Sequence, residues 1–336
     1  MKLSNCTLLI SGIDGFIGFR SAELAIAQGM KVRGLKSSNY NTEKLQNLGV
    51  EVIVGSITDP AIAQKVCQGV DIVLHAAELA EEVGSIKKFR EINVDGTINL
   101  AKAAENAGVK SFVHLSSVMV YGFNYPNYVT EAAPLHTQNN PYCQTKIEAE
   151  AALLKLHTSP DFGIIIIRAG DVYGPESLPW IIRPLQLMRQ KLFAYINDGK
   201  GISNHVYIDN LIDAIFLAVE KEVHGEIFNI TDGIETSWKD YFTYLAEIAG
   251  LPVDYPSFPK DELKLLVKLR YQGQKLFGKK ADIVPESLDF ISRPYAYSIA
   301  KAKAMLNYQP KIALPEGMRR TQEWLLANEI NIVNSK

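Results

Sequence analysis

A chain of 336 residues with 47% hydrophobic and 21% charged side chains is long enough for one large or two interlocked globular domains. A net charge of −2 creates no field that would draw nucleic acid, and three cysteines (Cys6, Cys67, Cys143) without a CxxC pair exclude a structural zinc site or a disulfide framework. The N-terminus lacks the pattern of a signal peptide and no apolar run reaches membrane-span length, so the expectation is a cytoplasmic protein with no membrane span and no metal.

The first element, Thr7–Ser11, is a short apolar strand. Gly12, Gly15 and Gly18 follow it, then a helical pattern over Phe16–Gln28 that stops at Gly29. Strand, glycine turn and helix in this order form a dinucleotide-site pattern: glycine lets a pyrophosphate approach the backbone, and the helix N-terminus, including Phe16 and Ile17, offers it N–H groups. A plain tight turn is the alternative.

Further strand-like runs are Lys31–Leu35, Glu51–Gly55, Asp71–His75, Ser111–Ser116 and Gly163–Arg168. Helical patterns separate them at Asn41–Leu48, Pro60–Gln68, Ile86–Asn106 and Pro141–His157. This alternation predicts an α/β fold, a Rossmann-type doubly wound parallel sheet, and the four isoleucines at 164–167 mark a strand buried on both faces. After Arg168, prolines at 175, 179 and 184 break the rhythm. We expect residues 1–170 to form the cofactor domain, with 205–230 returning to it. Residues 171–204 and 231–330 would form a smaller, interleaved C-terminal substrate lobe, with the site in the crevice between the two.

The second strand ends Leu35-Lys36-Ser37-Ser38 with no acid to bind ribose hydroxyls. Lys36 and Ser37 therefore suggest NADP(H) over NAD(H), the alternative being a solvated surface lysine. Tyr142 and Lys146 lie one turn apart on a helix that Asn139 or Asn140 can cap and Pro141 can open. A free phenol titrates near 10; bringing it to about 7 takes roughly 4 kcal/mol of preferential phenolate stabilisation, which a nearby ammonium and an oxidised nicotinamide could provide. Ser117 emerges where an apolar strand ends, placed to orient a substrate oxygen.

In this order the glycine turn, His75-Ala76-Ala77, Asn93-Val94-Asp95-Gly96-Thr97, the Ser117 strand, YxxxK, Arg168-Ala169-Gly170-Asp171-Val172-Tyr173-Gly174-Pro175 and Val206-Tyr207-Ile208-Asp209-Asn210 span most of the chain. The sequence resembles the extended short-chain dehydrogenases/reductases, the NAD-dependent epimerase/dehydratase family. The resemblance implies a catalytic triad of Ser117, Tyr142 and Lys146, with Lys146 also on the nicotinamide ribose. It implies cofactor contacts at Ser56, Ile57, Ala76 and Ala77, and at Ala169–Val172 around the nicotinamide. Ser56 replaces the family's usual adenine-binding aspartate, and Ala169 its usual proline.

Val118 and Met119 stand where 4,6-dehydratases carry an Asp-Glu pair, which excludes that chemistry. Ser203 stands where nucleotide-sugar enzymes tend to place an arginine. The segments 227–233 and 298–310 look like the C-terminal lobe of the 3β-hydroxysteroid dehydrogenase-like branch. These features lead us to expect an NAD(P)-dependent oxidoreductase interconverting a secondary alcohol and a ketone on a hydrophobic, sterol-like small molecule, with Val118, Met119 and Tyr173 as substrate contacts. The alternatives are a sugar-nucleotide epimerase and a non-catalytic cofactor-sensing module.

Residues 261–280 suggest a basic amphipathic helix, with Lys264, Lys268 and Lys275 on one face and Leu263, Leu266 and Val267 off it. It is either a packing lid or a membrane-surface element. Glu131 is a substrate contact or a surface carboxylate, and the histidines at 114, 136, 157 and 224 have no metal-ligand spacing. By analogy the two long helices Ile86–Asn106 and Pro141–His157 would pair a homodimer.

Overall fold

The computed structural model describes residues 1–38, 42–80, 84–138, 140–158, 161–276, 285 and 287–328. Asn139, the side chain of Lys275 and residues 277–280, which entered the reading above, lie outside the described residues. In chain order the elements of the first half are β1 (Thr7–Ser11), α1 (Phe16–Ala27), β2 (Lys31–Lys36), α2 (Thr42–Asn47), β3 (Glu51–Val54), α3 (Pro60–Cys67), β4 (Ile72–His75), α4 (Ile86–Arg90), α5 (Thr97–Asn106), β5 (Ser111–Ser117), α6 (Pro141–Leu156) and β6 (Gly163–Ala169). Then come β7 (Asp171–Tyr173), α7 (Arg183–Arg189), β8 (Tyr195–Ile196), β9 (Ile202–Ser203), β10 (His205–Tyr207), α8 (Ile208–Glu220), β11 (Ile227–Ile230), β12 (Thr236–Ser237), α9 (Trp238–Ile248), β13 (Ser257–Phe258), α10 (Lys260–Leu276), α11 (Ser287–Ile291), α12 (Ala300–Leu306) and α13 (Leu314–Ala327).

Among the described residues the main sheet has seven strands in the order β11-β6-β5-β4-β1-β2-β3, all neighbours parallel. Its order reverses between β1 and β4, and there the glycine turn and Ala76–Ala77 emerge side by side. The alternation of each strand divides the core in two. Leu8, Ile10, Ile72, Leu74, Val113, Leu115, Ile165 and Ile167 face one layer. Leu9, Val73, Phe112, Ile164 and Ile166 face the other. All four isoleucines of β6 are fully buried, and their β-branched side chains suit a strand packed by helices on both faces.

Helix α6 starts where Asn140 accepts hydrogen bonds from the N–H groups of Tyr142 (2.9 Å) and Cys143 (3.1 Å), with Pro141 in the first turn. Its middle is fastened by a buried ion pair. Glu150 meets Arg168 of β6 at 2.6 Å, both side chains 2% exposed. Ser116 donates to the same carboxylate, and Arg168 donates to the Tyr121 hydroxyl at 2.7 Å.

The single helix expected over Ile86–Asn106 is instead α4 and α5 joined by a wide π turn, Glu91–Gly96. Asn93, in that turn, is buried. It bonds both backbone groups of Leu79 and the Thr145 hydroxyl. In α10 Lys264 of the expected lysine face turns to Asp289 at 2.6 Å, joined there by Lys260 at 3.3 Å, while Lys268 is exposed. Leu265, Leu266 and Leu269 are exposed as well. No helix among the described residues is long and apolar enough to cross a membrane.

Removing one partner of a buried ion pair leaves an uncompensated charge, at a cost of about 3–5 kcal/mol. Glu150→Ala should lower the unfolding free energy by that amount in urea denaturation; a loss near zero would show that the pair does not fasten α6.

Candidate active site

The glycine turn fits a dinucleotide, and its three glycines do different work. Gly12 has φ +71°, and a Cβ there would lie 2.8 Å from the Ala77 Cα. At Gly18 a Cβ would meet the Gly12 carbonyl, so these two shape the turn and its packing on the next loop. Gly15 is exposed, sits at the start of α1, and a Cβ there would meet nothing closer than the Gly12 oxygen at 3.3 Å. No side chain caps the first N–H groups of α1. Phe16 and Ile17 are half-exposed beside that opening. A pyrophosphate has a backbone cradle here. Ala76 and Ala77 border it, and Ala77 donates its N–H to the Ser11 hydroxyl at 3.3 Å. Below them buried His75 bridges Ser11 (2.7 Å) and Thr97 (2.8 Å), its imidazole pushed down to about 3 by burial and, secondarily, by Lys146.

At the end of β2, Lys36 is not a surface lysine. Its side chain is fully buried and its ammonium lies 3.7 Å from Asp14 of the glycine turn. Ser37 is exposed beside it. Ser56 is exposed and forms a local turn with Thr58, whereas the Ile57 side chain is in the core and leaves only its backbone for a cofactor.

Ser117, Tyr142 and Lys146 converge. Ser117 ends β5 next to Ala169 of β6. Its oxygen caps a short 3-10 turn, Val118–Tyr121, by accepting from the Met119 N–H at 3.2 Å. Lys146 is buried and donates to the Leu115 carbonyl at 2.7 Å, with its ammonium 5.7 Å from the centre of the Tyr142 ring. A group absent from the sequence reading joins them. Glu78, one residue past Ala77, pairs with Lys146 at 2.5 Å and accepts the Tyr142 hydroxyl at 3.2 Å. Without a cofactor, burial and then the Glu78 charge push Tyr142 well above the ordinary phenol range, and the Ser117 hydroxyl pulls against them. Tyr142 here donates its hydroxyl hydrogen bond to Glu78. The sequence offered one clue, a carboxylate directly after an alanine pair at a strand end.

Two expected substrate contacts, Tyr173 and Val118, are buried in aromatic packing, and Glu131, expected as a substrate contact or a surface carboxylate, has a structural partner. Tyr173 is fully buried, packed edge-on against His205, Tyr207 and Tyr241. Val118 is buried in a cluster with Tyr121, Tyr125 and Tyr297. Glu131 accepts the Asn229 N–H at 2.9 Å, a tether between loops and β11. Met119 remains half-exposed, Ala169 is buried at the carboxyl end of β6, and Val172 packs into the main core. Ser203 is buried, with no guanidinium in its place. Beyond the triad, aromatic residues join the Ser117 side to the C-terminal lobe. Phe123 meets Phe290 (5.8 Å), Phe290 stacks on Trp180 (6.1 Å), and Trp180 stacks on Trp238 (4.9 Å). Arg293 lies over Phe290 at 3.5 Å and pairs with Asp171 at 2.8 Å. The described residues contain no cluster of three or more potential metal ligands.

Residues 8–231, two thirds of the chain, match the NAD dependent epimerase/dehydratase family. The chain belongs to that family. Among its relatives is the 4-hydroxy-2-methyl-3-oxo-4-farnesyl-3,4-dihydroquinoline-1-oxide ketoreductase of Stigmatella aurantiaca, 24% identical over 92% of this chain and 93% of that protein. The UDP-glucose 4-epimerase of Mycolicibacterium smegmatis is 26% identical over 94% and 97% of the two chains. The solved UDP-glucose 4-epimerase of Thermotoga maritima superposes with a TM-score of 0.78 at 23% identity, covering 96% of this chain and 99% of that one. The UDP-glucuronic acid 4-epimerase of Bacillus cereus, solved with NAD, gives 0.76 at 22% identity, with 96% and 99% covered. These epimerases share the seven-stranded α/β fold. As a member of this family the chain is an NAD-dependent type of oxidoreductase or epimerase.

The two kinds of glycine separate experimentally. Gly15→Ala should weaken nicotinamide nucleotide binding about tenfold, roughly 1.4 kcal/mol, with little change in Tm. Gly18→Ala should lower Tm sharply. Fluorescence titration with the reduced nucleotide and thermal melts check both, and an unaltered Gly15→Ala affinity would place the pyrophosphate elsewhere.

Proposed function

We propose that the protein is an NAD(P)-dependent oxidoreductase that interconverts a ketone and a secondary alcohol on a lipophilic substrate, sterol-like in the sense of a rigid apolar body. The observation that carries this reading is the convergence of Ser117, Tyr142 and Lys146 at the carboxyl edge of the sheet. When bound, the nicotinamide would supply or take up the hydride. The chain does the rest. Ser117 donates a hydrogen bond to the substrate oxygen, Tyr142 transfers the proton, and Lys146 holds positive charge beside the phenol.

Two features support an apolar substrate. The lobe facing the site is joined through Phe123, Phe290 and Trp180, and its guanidinium, Arg293, is already matched by Asp171. A farnesylated quinoline is the substrate named for one full-length relative. The second reading, a sugar-nucleotide epimerase, draws on the relatives of that activity. It predicts a cofactor that copurifies and no net change in NAD(P)H. A non-catalytic sensing module has no need of the intact triad.

The lack of an acid at the end of β2, with exposed Ser37 there, supports NADP(H) as the preferred form; Lys36, buried against Asp14, would have to exchange that partner to meet a 2′-phosphate. Three free cysteines fit a reducing, cytoplasmic setting, and pairing of α5 and α6 between two copies is the homodimer we expect. The exposed leucines of α10 would be the point of any peripheral membrane contact.

Purified protein with NADPH and a panel of apolar ketones should oxidise the nucleotide in proportion to ketone, and Tyr142→Phe should slow this about 10²–10⁴-fold. Turnover of a nucleotide sugar without net NADPH change would overturn the reading in favour of the epimerase.

A further inference from the structure

Glu78 stands in the site without a part in the reaction as drawn so far. Its carboxylate touches the phenol that moves the proton and the ammonium that supports it, at 3.2 and 2.5 Å. The backbone fixes it there from both sides. Ala77 donates to the Ser11 hydroxyl, and Leu79 is held through its N–H (2.7 Å) and its carbonyl (3.1 Å) by buried Asn93. The side chain is only 26% exposed.

The charges around the phenol can be followed element by element. From the loop after β4 comes Glu78; from the end of β5 comes the uncharged Ser117 hydroxyl; from α6 come Lys146 and Cys143, whose thiol burial pushes up to about 12. Behind Lys146 lie His75 and His114, both held neutral by burial. The facing charges among the described residues are thus one carboxylate and one ammonium. With a lysine alone, a phenolate would complete a neutral pair. With Glu78 present the pair is already neutral, and a phenolate would leave one surplus negative charge in a half-buried site.

We propose that Glu78 is a positioning residue that keeps Tyr142 as a neutral phenol and so biases the site toward donating a proton to a carbonyl, that is, toward ketone reduction. The proposal rests on the oxidoreductase reading above. With the reduced nucleotide bound, its hydride would go to the carbonyl carbon, and Tyr142 gives its proton to the carbonyl oxygen. The O–H electron pair stays on Tyr142. The resulting phenolate, beside the Glu78 carboxylate, regains a proton from Lys146, which solvent resupplies. The products are the alcohol and the oxidised nucleotide.

The test uses Glu78→Gln, which keeps shape and hydrogen bonding but removes the charge, and Glu78→Asp, which keeps the charge. Tyrosine labelled with carbon-13 at the ζ position reports phenol ionisation by NMR, and Tyr142→Phe identifies the resonance. In cofactor-free protein the Tyr142 midpoint should fall by about one pH unit or more in Glu78→Gln. It should stay near the wild-type value in Glu78→Asp. In turnover the alkaline decline of ketone reduction should begin at lower pH in Glu78→Gln, and alcohol oxidation near neutrality should rise about tenfold. An unchanged midpoint in Glu78→Gln would overturn the proposal. A shifted midpoint in a protein that turns over no alcohol or ketone would uphold the role of Glu78 and defeat the oxidoreductase reading.

Discussion

The buried contact between Glu150 and Arg168 is the joint on which the active-site geometry depends. Lys146 lies one helical turn from Glu150, so whatever holds Glu150 against β6 also fixes the ammonium and the phenol one turn before it. Such a pair is stable only when its remaining polar atoms are satisfied. Ser116 and Tyr121 do this here, and the Tyr121 hydroxyl donates a hydrogen bond to Asn229 of β11 at 2.7 Å. One carboxylate thereby ties the catalytic helix to three adjacent strands. Ser117, immediately after Ser116, inherits its position from the same contact.

The parts of this arrangement that follow from local pattern were legible in the sequence. The glycine spacing, the isoleucine run of β6 and the YxxxK turn each specify their own backbone within a few residues. Glu78, Asn93 and Glu150 were not legible, because their roles exist only across distances in sequence: Tyr142 to Glu78 spans 64 residues, and Asn93 reaches across 52 to Thr145. Val118 and Tyr173 show a different limit. A motif fixes which residue follows a strand, but the side it faces depends on aromatic packing contributed by Tyr297 and Tyr241 from much later in the chain. The carboxylate that opposes ionisation of Tyr142 was illegible for the same reason, since it comes from another loop.

A common pattern links the cations at the functional positions. Lys36 is paired with Asp14, Lys146 with Glu78 and Arg293 with Asp171. Each is largely or wholly buried, and each has its counter-charge supplied by the protein. Anion binding at the cofactor cradle therefore falls to the backbone of α1, whose peptide dipoles need no counter-ion. Arg293, matched in the same way, lies among the aromatic rings that link Phe123 to Trp238.

The π turn between α4 and α5 carries a consequence of its own. Each residue of a helix advances the side-chain direction by about 100°, so the widened turn resets the phase of everything after Asn93 relative to everything before it. Asn93 and Thr97 stand four residues apart and share one face, where the asparagine clasps Leu79 and the threonine meets His75. A single rod thus serves two loops at once, and a residue gained or lost between the two would turn one of these contacts away from its partner.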